Sequence, residues 1–134
     1  MTEHTKSPEV AWFDNYAALT IGWIINHVSE VNRMWWTDLE TGQPMQRNVG
    51  ELLMLVTSEL AEALEADRKG LMDNHLPHRK GFDVEIADAV IRLFDIAGHL
   101  CPDLGRIIFE KLAYNQTRKD HTTEARRQTH GKKY

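Results

Sequence analysis

The chain is poor in cysteine and in long apolar runs. Its one cysteine, Cys101, excludes an intrachain disulfide framework and any cysteine-built zinc cluster, and it points to a reducing compartment. The longest apolar runs fall far short of a membrane span, and Met1-Thr2-Glu3-His4-Thr5-Lys6 carries no apolar signal core. A soluble, cytoplasmic protein with no membrane partner is expected. No segment alternates apolar and polar residues between hairpin-type turns, and there is no internal repeat or low-complexity tract. No histidine follows a Glu or Asp by three positions, which argues against the Glu-x-x-His pattern of a di-iron carboxylate bundle. His75 and His78 fall in a connector without evident partners for zinc.

What is present suits one domain with a real core. The chain has 134 residues, 42% of them hydrophobic and 27% charged, the balance of a globular protein. Net charge is −4, unevenly spread: residues 118–134 carry six Lys/Arg against two Asp/Glu, hence +4, and the body carries −8. An acidic body disfavours nucleic acid as the main partner. The basic end reads either as a solvated, partly disordered terminus or as cations beside an anionic ligand.

Helical periodicity runs through most of the chain. Ser7-Pro8-Glu9 is a helix start, with Ser as cap and Pro at the first helical position. Val10, Phe13, Ala17, Ile21, Ile24, Val28 and Val31 then recur at steps of three and four, predicting a helix that ends near residues 33–36. Residues 37–47, with Gly42 and Pro44, read as a loop. Asn48-Val49-Gly50-Glu51 resembles a capping box, and the apolar stripe of the second helix runs to about Arg68, with Gly70 able to end it. A third helix is predicted from about Asp83 to His99, stopped by Pro102, and a fourth from Pro102-Asp103 to about Arg118. The expected fold is an all-α four-helix bundle that completes its core by subunit association, as a homodimer or homotetramer.

Two acidic patterns stand out. Glu59-Leu60-Ala61-Glu62 and Glu85-Ile86-Ala87-Asp88 each place two carboxylates three residues apart, on one side of a helix. On the second helix Glu59 and Glu62 border the apolar stripe, while Glu65 faces water. On the third helix Glu85, Asp88, Arg92, Asp95 and His99 form a polar stripe flanked by apolar residues on both sides, so the stripe is expected to face a cleft or another subunit. Unit charges about 5 Å apart repel by roughly 3 kcal/mol at an effective dielectric near 20. Converging carboxylates therefore need a divalent cation held by oxygen ligands, or internal salt bridges with Arg68, Arg92 or Lys111.

In their order these residues resemble the MazG-like all-α nucleoside triphosphate pyrophosphatases. The resemblance covers residues 51–118, through the phrase from Val56 to Gly70, that from Glu85 to Gly98, and Lys111-x-x-x-Asn115-x-x-Arg118. Ser58 stands where MazG proper has a further Glu, so the shorter motif of the dCTP-pyrophosphatase-like branch is the better match. The resemblance implies Mg²⁺, with Mn²⁺ as a substitute, held by Glu59, Glu62, Glu85 and Asp88. It implies cleavage of a (deoxy)nucleoside triphosphate to the monophosphate and pyrophosphate, with Glu59 or Glu62 orienting the water. It makes residues 1–118 the helical domain and 119–134 a basic tail that closes over the site. Lys111, Asn115 and Arg118, on one helix face, become phosphate contacts, and His27 with Trp36 the base-contacting pair. Trp35 reads instead as core. Lys69 and Arg92 stand at two further aromatic positions of that branch, which leaves the base preference open. Two other readings stay in play: a non-catalytic helical dimerisation module, and a pyrophosphohydrolase for phosphoribosyl-ATP or a modified nucleotide.

Overall fold

The structure, a computed structural model, describes residues 8–132, with side chains from residue 11 onward. Ser7, the expected first cap, lies outside the described residues, as do Lys133 and Tyr134 of the expected tail. The fold is all-α. The four expected helices are α1 (Pro8–Val31), α2 (Val49–Lys69), α3 (Gly81–Leu100) and α4 (Leu104–Thr117), followed by a short α5 (Thr123–Arg127). No strand occurs among the described residues.

The helix ends have local causes. Asn48 caps α2, its side-chain oxygen accepting from the Glu51 amide at 3.1 Å. Gly70 closes the same helix in the left-handed region, at φ 62°, where a side chain would be strained. α3 starts at Gly81, two residues ahead of the expected Asp83, an ordinary uncertainty for a helix end. α5 has a cap of its own, the Thr122 hydroxyl accepting from the Ala125 amide at 3.2 Å. The basic segment after residue 118, read from sequence either as a solvated terminus or as cations beside an anionic ligand, carries a helical turn of its own.

The chain divides into two compact units. One is Trp23–Pro102; the other joins the residues up to Gly22 to those from Asp103 onward.

In the Trp23–Pro102 unit, α2 and α3 pack along their lengths as an antiparallel pair. Small residues line the join: Ala63, Ala66, Ala89 and Ala97 are buried with Leu52 and Val56. Close approach also fixes the second half of α1, where a Cβ on Gly98 would lie 2.5 Å from Ser29 Cβ. Among the described side chains of α1 the buried ones are Ala18 and Ile25, one position on from the expected Ala17 and Ile24. Periodicity selects the bulkier stripe, but the contacts form where small residues let backbones approach. Much of the bulkier stripe stays exposed: Phe13, Ile24 and Val31 on α1, and Leu53, Leu60 and Leu64 on α2.

Candidate metal centre and adjoining cleft

In α2 the buried side is shifted toward Glu59. This residue, expected at the edge of the stripe, is 7% exposed and sits among Leu52, Val56, Ala63 and Ala66. The polar stripe of α3 meets it. Glu59, Glu85 and Asp88 bring one carboxylate oxygen each within 4.8 Å of one another. Glu62 is exposed and lies outside that group, although its charge is felt by Glu85. The gathering is therefore a trio rather than the expected quartet. Glu62 follows Glu59 around the helix on the side away from Ala63, and that rotation carries it into solvent.

The trio shows the conflict expected of converging acids. Partial burial holds the Glu85 carboxyl above its ordinary range, reinforced by a hydrogen bond shared with Glu59 and by the charges of Glu62, Glu59 and Asp88. Asp88 is raised by burial and by the Glu59 charge, with Arg92 opposing. Asp73 and His75, in the connector before α3, also act on Asp88, with opposite signs. One cation is already engaged: Arg92 Nε donates to Glu59 Oε1 at 2.5 Å. Arg92 is 40% exposed in its side chain, so it sits at the lip of the group rather than inside it. Arg68, another salt-bridge partner considered from sequence, has no ion pair with the trio among the described residues. Three carboxylates on two helices, two of them reluctant to ionise, are a donor set that fits a hard divalent cation.

Beside the trio lies a cleft of about 490 Å³, lined by Glu59, Asp88, Arg92 and Asp95 together with Trp35, Arg47 and apolar side chains of α2 and α3. Here the burial of the two tryptophans is the reverse of that expected. α1 stops at Val31, and a 3-10 turn follows at Arg33–Trp36. With about three residues per turn instead of 3.6, that turn rotates Trp36 inward and Trp35 outward. Trp36 is 6% exposed; its indole N–H donates to Asp95 Oδ2 at 2.9 Å and its ring stacks on His99 with centroids 3.9 Å apart. Trp35, expected as core, is exposed and lines the cleft. His27 is exposed on α1, away from the cleft lining. His27 and Trp36 are not brought together among the described residues, and Trp35 is the tryptophan that lines the cleft. Arg47, Asn32 and Asp95 also line the cleft. Arg47 and Asn32 lie outside the periodic pattern, while Asp95 was visible only as part of the polar stripe.

The three residues expected to hold phosphate lie in the other unit. Lys111 is exposed, its ammonium 4.6 Å from the Tyr114 ring centroid. Asn115 is half-buried, its side-chain oxygen without a hydrogen-bond partner among the described residues. Arg118 lies past the end of α4 in extended backbone, so the i+7 spacing does not hold it on the helix face. Its guanidinium grips Asp120 through two hydrogen bonds of 3.0 and 2.6 Å. The expected three-residue phosphate face is therefore not assembled.

Among the described residues no helix is long and apolar enough to cross a membrane. Compared with family models, curated proteins and solved structures, the chain gives no match in any of the three.

Proposed function

We propose that this protein is a divalent-cation-dependent pyrophosphohydrolase that cleaves a (deoxy)nucleoside triphosphate between its α- and β-phosphates, as the MazG-like resemblance implies. The observation that carries the reading is the Glu59, Glu85 and Asp88 trio, drawn from two packed helices beside a cleft. A hard cation such as Mg²⁺, held by these three, would neutralise phosphate charge and supply a stronger nucleophile from water. The chain's own residues do the rest. Glu59 keeps one oxygen on Arg92, which fixes its carboxylate plane and leaves the other oxygen either for the cation or for orienting a water. Glu62, one turn on, is the second carboxylate proposed for that task. Arg92 and Arg47 offer guanidinium donors to phosphate oxygens along the cleft. Trp35 offers a face for a base; such stacking typically contributes about 1–3 kcal/mol.

We also infer self-association, as a homodimer or homotetramer, from the apolar side chains left exposed on α2 and α3. The Arg92–Glu59 ion pair favours a second reading, a helical dimerisation module whose acids are tied off internally. Pyrophosphate release with Mg²⁺ across the eight common NTPs and dNTPs, extended to phosphoribosyl-ATP and modified nucleotides, tests the first reading. The dimerisation module predicts no release on any substrate and no Mg²⁺-dependent rise in melting temperature.

A further inference from the structure

Two arginines line the cleft, and they are held differently. Arg92 is committed to Glu59. Arg47 is half-buried, and its guanidinium has no ion pair and no hydrogen bond among the described residues. What it has is a ring: the guanidinium carbon lies 5.6 Å from the centroid of the Trp36 ring, within cation–π range. A long, flexible cation with one such contact takes its direction from that contact. Trp36 is in turn fixed at three points. Its indole N–H donates to Asp95 Oδ2, its ring stacks on His99, and its backbone carbonyl accepts the Met45 amide at 2.9 Å. The last bond ties the loop to Trp36 two residues before Arg47. Behind the ring, His99 Nε2 lies 3.1 Å from Ser29 Oγ and 4.0 Å from Asp95 Oδ1, so the stacking partner is itself seated.

We propose that Trp36 is a positioning residue: its buried ring, clamped by Asp95 and His99, holds the Arg47 guanidinium at the cleft so that this cation meets a phosphate of the ligand already oriented. This rests on the reading that a nucleotide occupies the cleft. The chemistry favours a ring over an acid for this task. A carboxylate would hold an arginine more firmly, but it would also cancel the charge and compete with the phosphate for the same N–H donors. The face of an indole orients the guanidinium and leaves those donors unused. Asp95, the acid nearest this arrangement in the cleft lining, gives Oδ2 to the indole rather than to Arg47. Trp36 therefore serves the ligand without touching it, through Arg47.

The test is a double-mutant cycle on the binding of the four common deoxynucleoside triphosphates as uncleavable α,β-methylene analogues, with Mg²⁺, measured by calorimetry. Trp36→Leu is expected to weaken binding about 3- to 30-fold, the range for the cation–π contact it removes, and Arg47→Gln at least as much. The double variant binds no more weakly than Arg47→Gln alone, because Trp36 acts through Arg47. Losses that multiply in the double variant mean that Trp36 merely supports the fold, and they overturn the proposal, as does unchanged affinity in Arg47→Gln. A second measurement needs neither ligand nor a Trp36 variant. In the nuclear magnetic resonance spectrum of the unmodified protein, the Arg47 side-chain protons, assigned by their loss in Arg47→Gln, are expected upfield of their ordinary positions through the ring current of Trp36. If Trp36→Leu does not fold, this measurement decides, and unshifted resonances overturn the proposal. Failure of every analogue to bind the unmodified protein overturns the nucleotide reading and this assignment with it. Multiplying losses beside intact pyrophosphate release from the ordinary triphosphates overturn this assignment alone.

Discussion

The two sides of the α2–α3 pair break the ordinary rule of burial in opposite directions. On one side Glu59 and Asp95 are 7% and 6% exposed, with Glu85, Asp88 and Arg92 half-buried around them. On the other, Leu60, Leu64 and Leu93 are 49%, 58% and 43% exposed. Charged groups are rarely buried without a partner, and scattered exposed leucines mean little. Several of them on two packed helices leave more apolar surface uncovered than scattered residues do. One side thus gathers more acids than the one arginine paired with them, and the other leaves apolar side chains exposed. The difference teaches that burial in this pair of helices follows neither charge nor hydrophobicity alone, and the proposed function accounts for it with an ion and its ligand on one side and a second copy of the chain on the other.

The sharpest way to break that comparison is to remove the acids. Glu85→Ala and Asp88→Ala are expected to lower pyrophosphate release by more than about 100-fold, beyond the loss usual for residues that merely support a ligand. Their helical circular dichroism should be unchanged, since neither side chain is fully buried. Rates within a few-fold of normal would remove the acidic side from the mechanism.

The apolar side has its own test. Leu60→Glu combined with Leu93→Glu is expected to shift the protein toward a smaller species in light scattering. Each buried leucine contributes about 1.5–3 kcal/mol to an interface it fills. A monomeric unmodified protein, or a variant that keeps its assembly, would leave this face without the assigned partner.

Much of the polar side was legible in sequence, and the reasons are local. Glu59, Glu85 and Asp88 lie inside long regular helices, where 3.6-residue periodicity carries a side chain's direction reliably. The polar stripe of α3 turns inward as its apolar flanks implied. That periodicity is lost where the helix stops. Arg118 sits just past α4, and the 3-10 turn at Arg33–Trp36 reverses the burial of the two tryptophans. It also misjudges which apolar face is buried, because packing through Ala63, Ala66, Ala89 and Gly98 favours small residues over hydrophobic ones. Arg47, in a loop, leaves no periodic trace.

Arg92 separates the two meanings of the buried acids. If its pair with Glu59 is the final arrangement, Arg92→Leu leaves an uncompensated buried carboxylate and destabilises the protein whatever ion is added. Breaking a fully buried pair costs about 3–5 kcal/mol; solvent around Arg92 reduces this to about 1–2 kcal/mol. If a cation belongs there, millimolar Mg²⁺ restores the melting temperature of Arg92→Leu. Thermal unfolding with and without Mg²⁺ distinguishes the cases, and an unrecovered loss favours the internal salt bridge.

The smallest expected effect is a pH dependence of the metal-free protein. Glu85 and Asp88 are held above their ordinary values of 4.5 and 3.8 in the folded state, in both cases by burial first and by neighbouring carboxylates next. Below those ordinary values both states carry the protons, and the contribution to stability is fully present. As pH rises through the raised folded values, the native state must ionise groups that the unfolded chain ionised more readily, and that contribution is lost. The metal-free melting temperature is therefore expected to fall as pH rises above those ordinary values, relative to Glu85→Gln combined with Asp88→Asn. Exposed Asp38 and Asp120, held low by hydrogen bonds from Thr41 and Arg118 respectively, contribute the opposite slope at lower pH. They are present in both proteins and drop out of the difference. A divalent cation binds the ionised trio, so the stabilisation it gives should grow over the same pH window. A difference between variant and unmodified protein that is flat with pH, and an Mg²⁺ shift that does not grow, would mean that the acids of the polar side do not constrain one another.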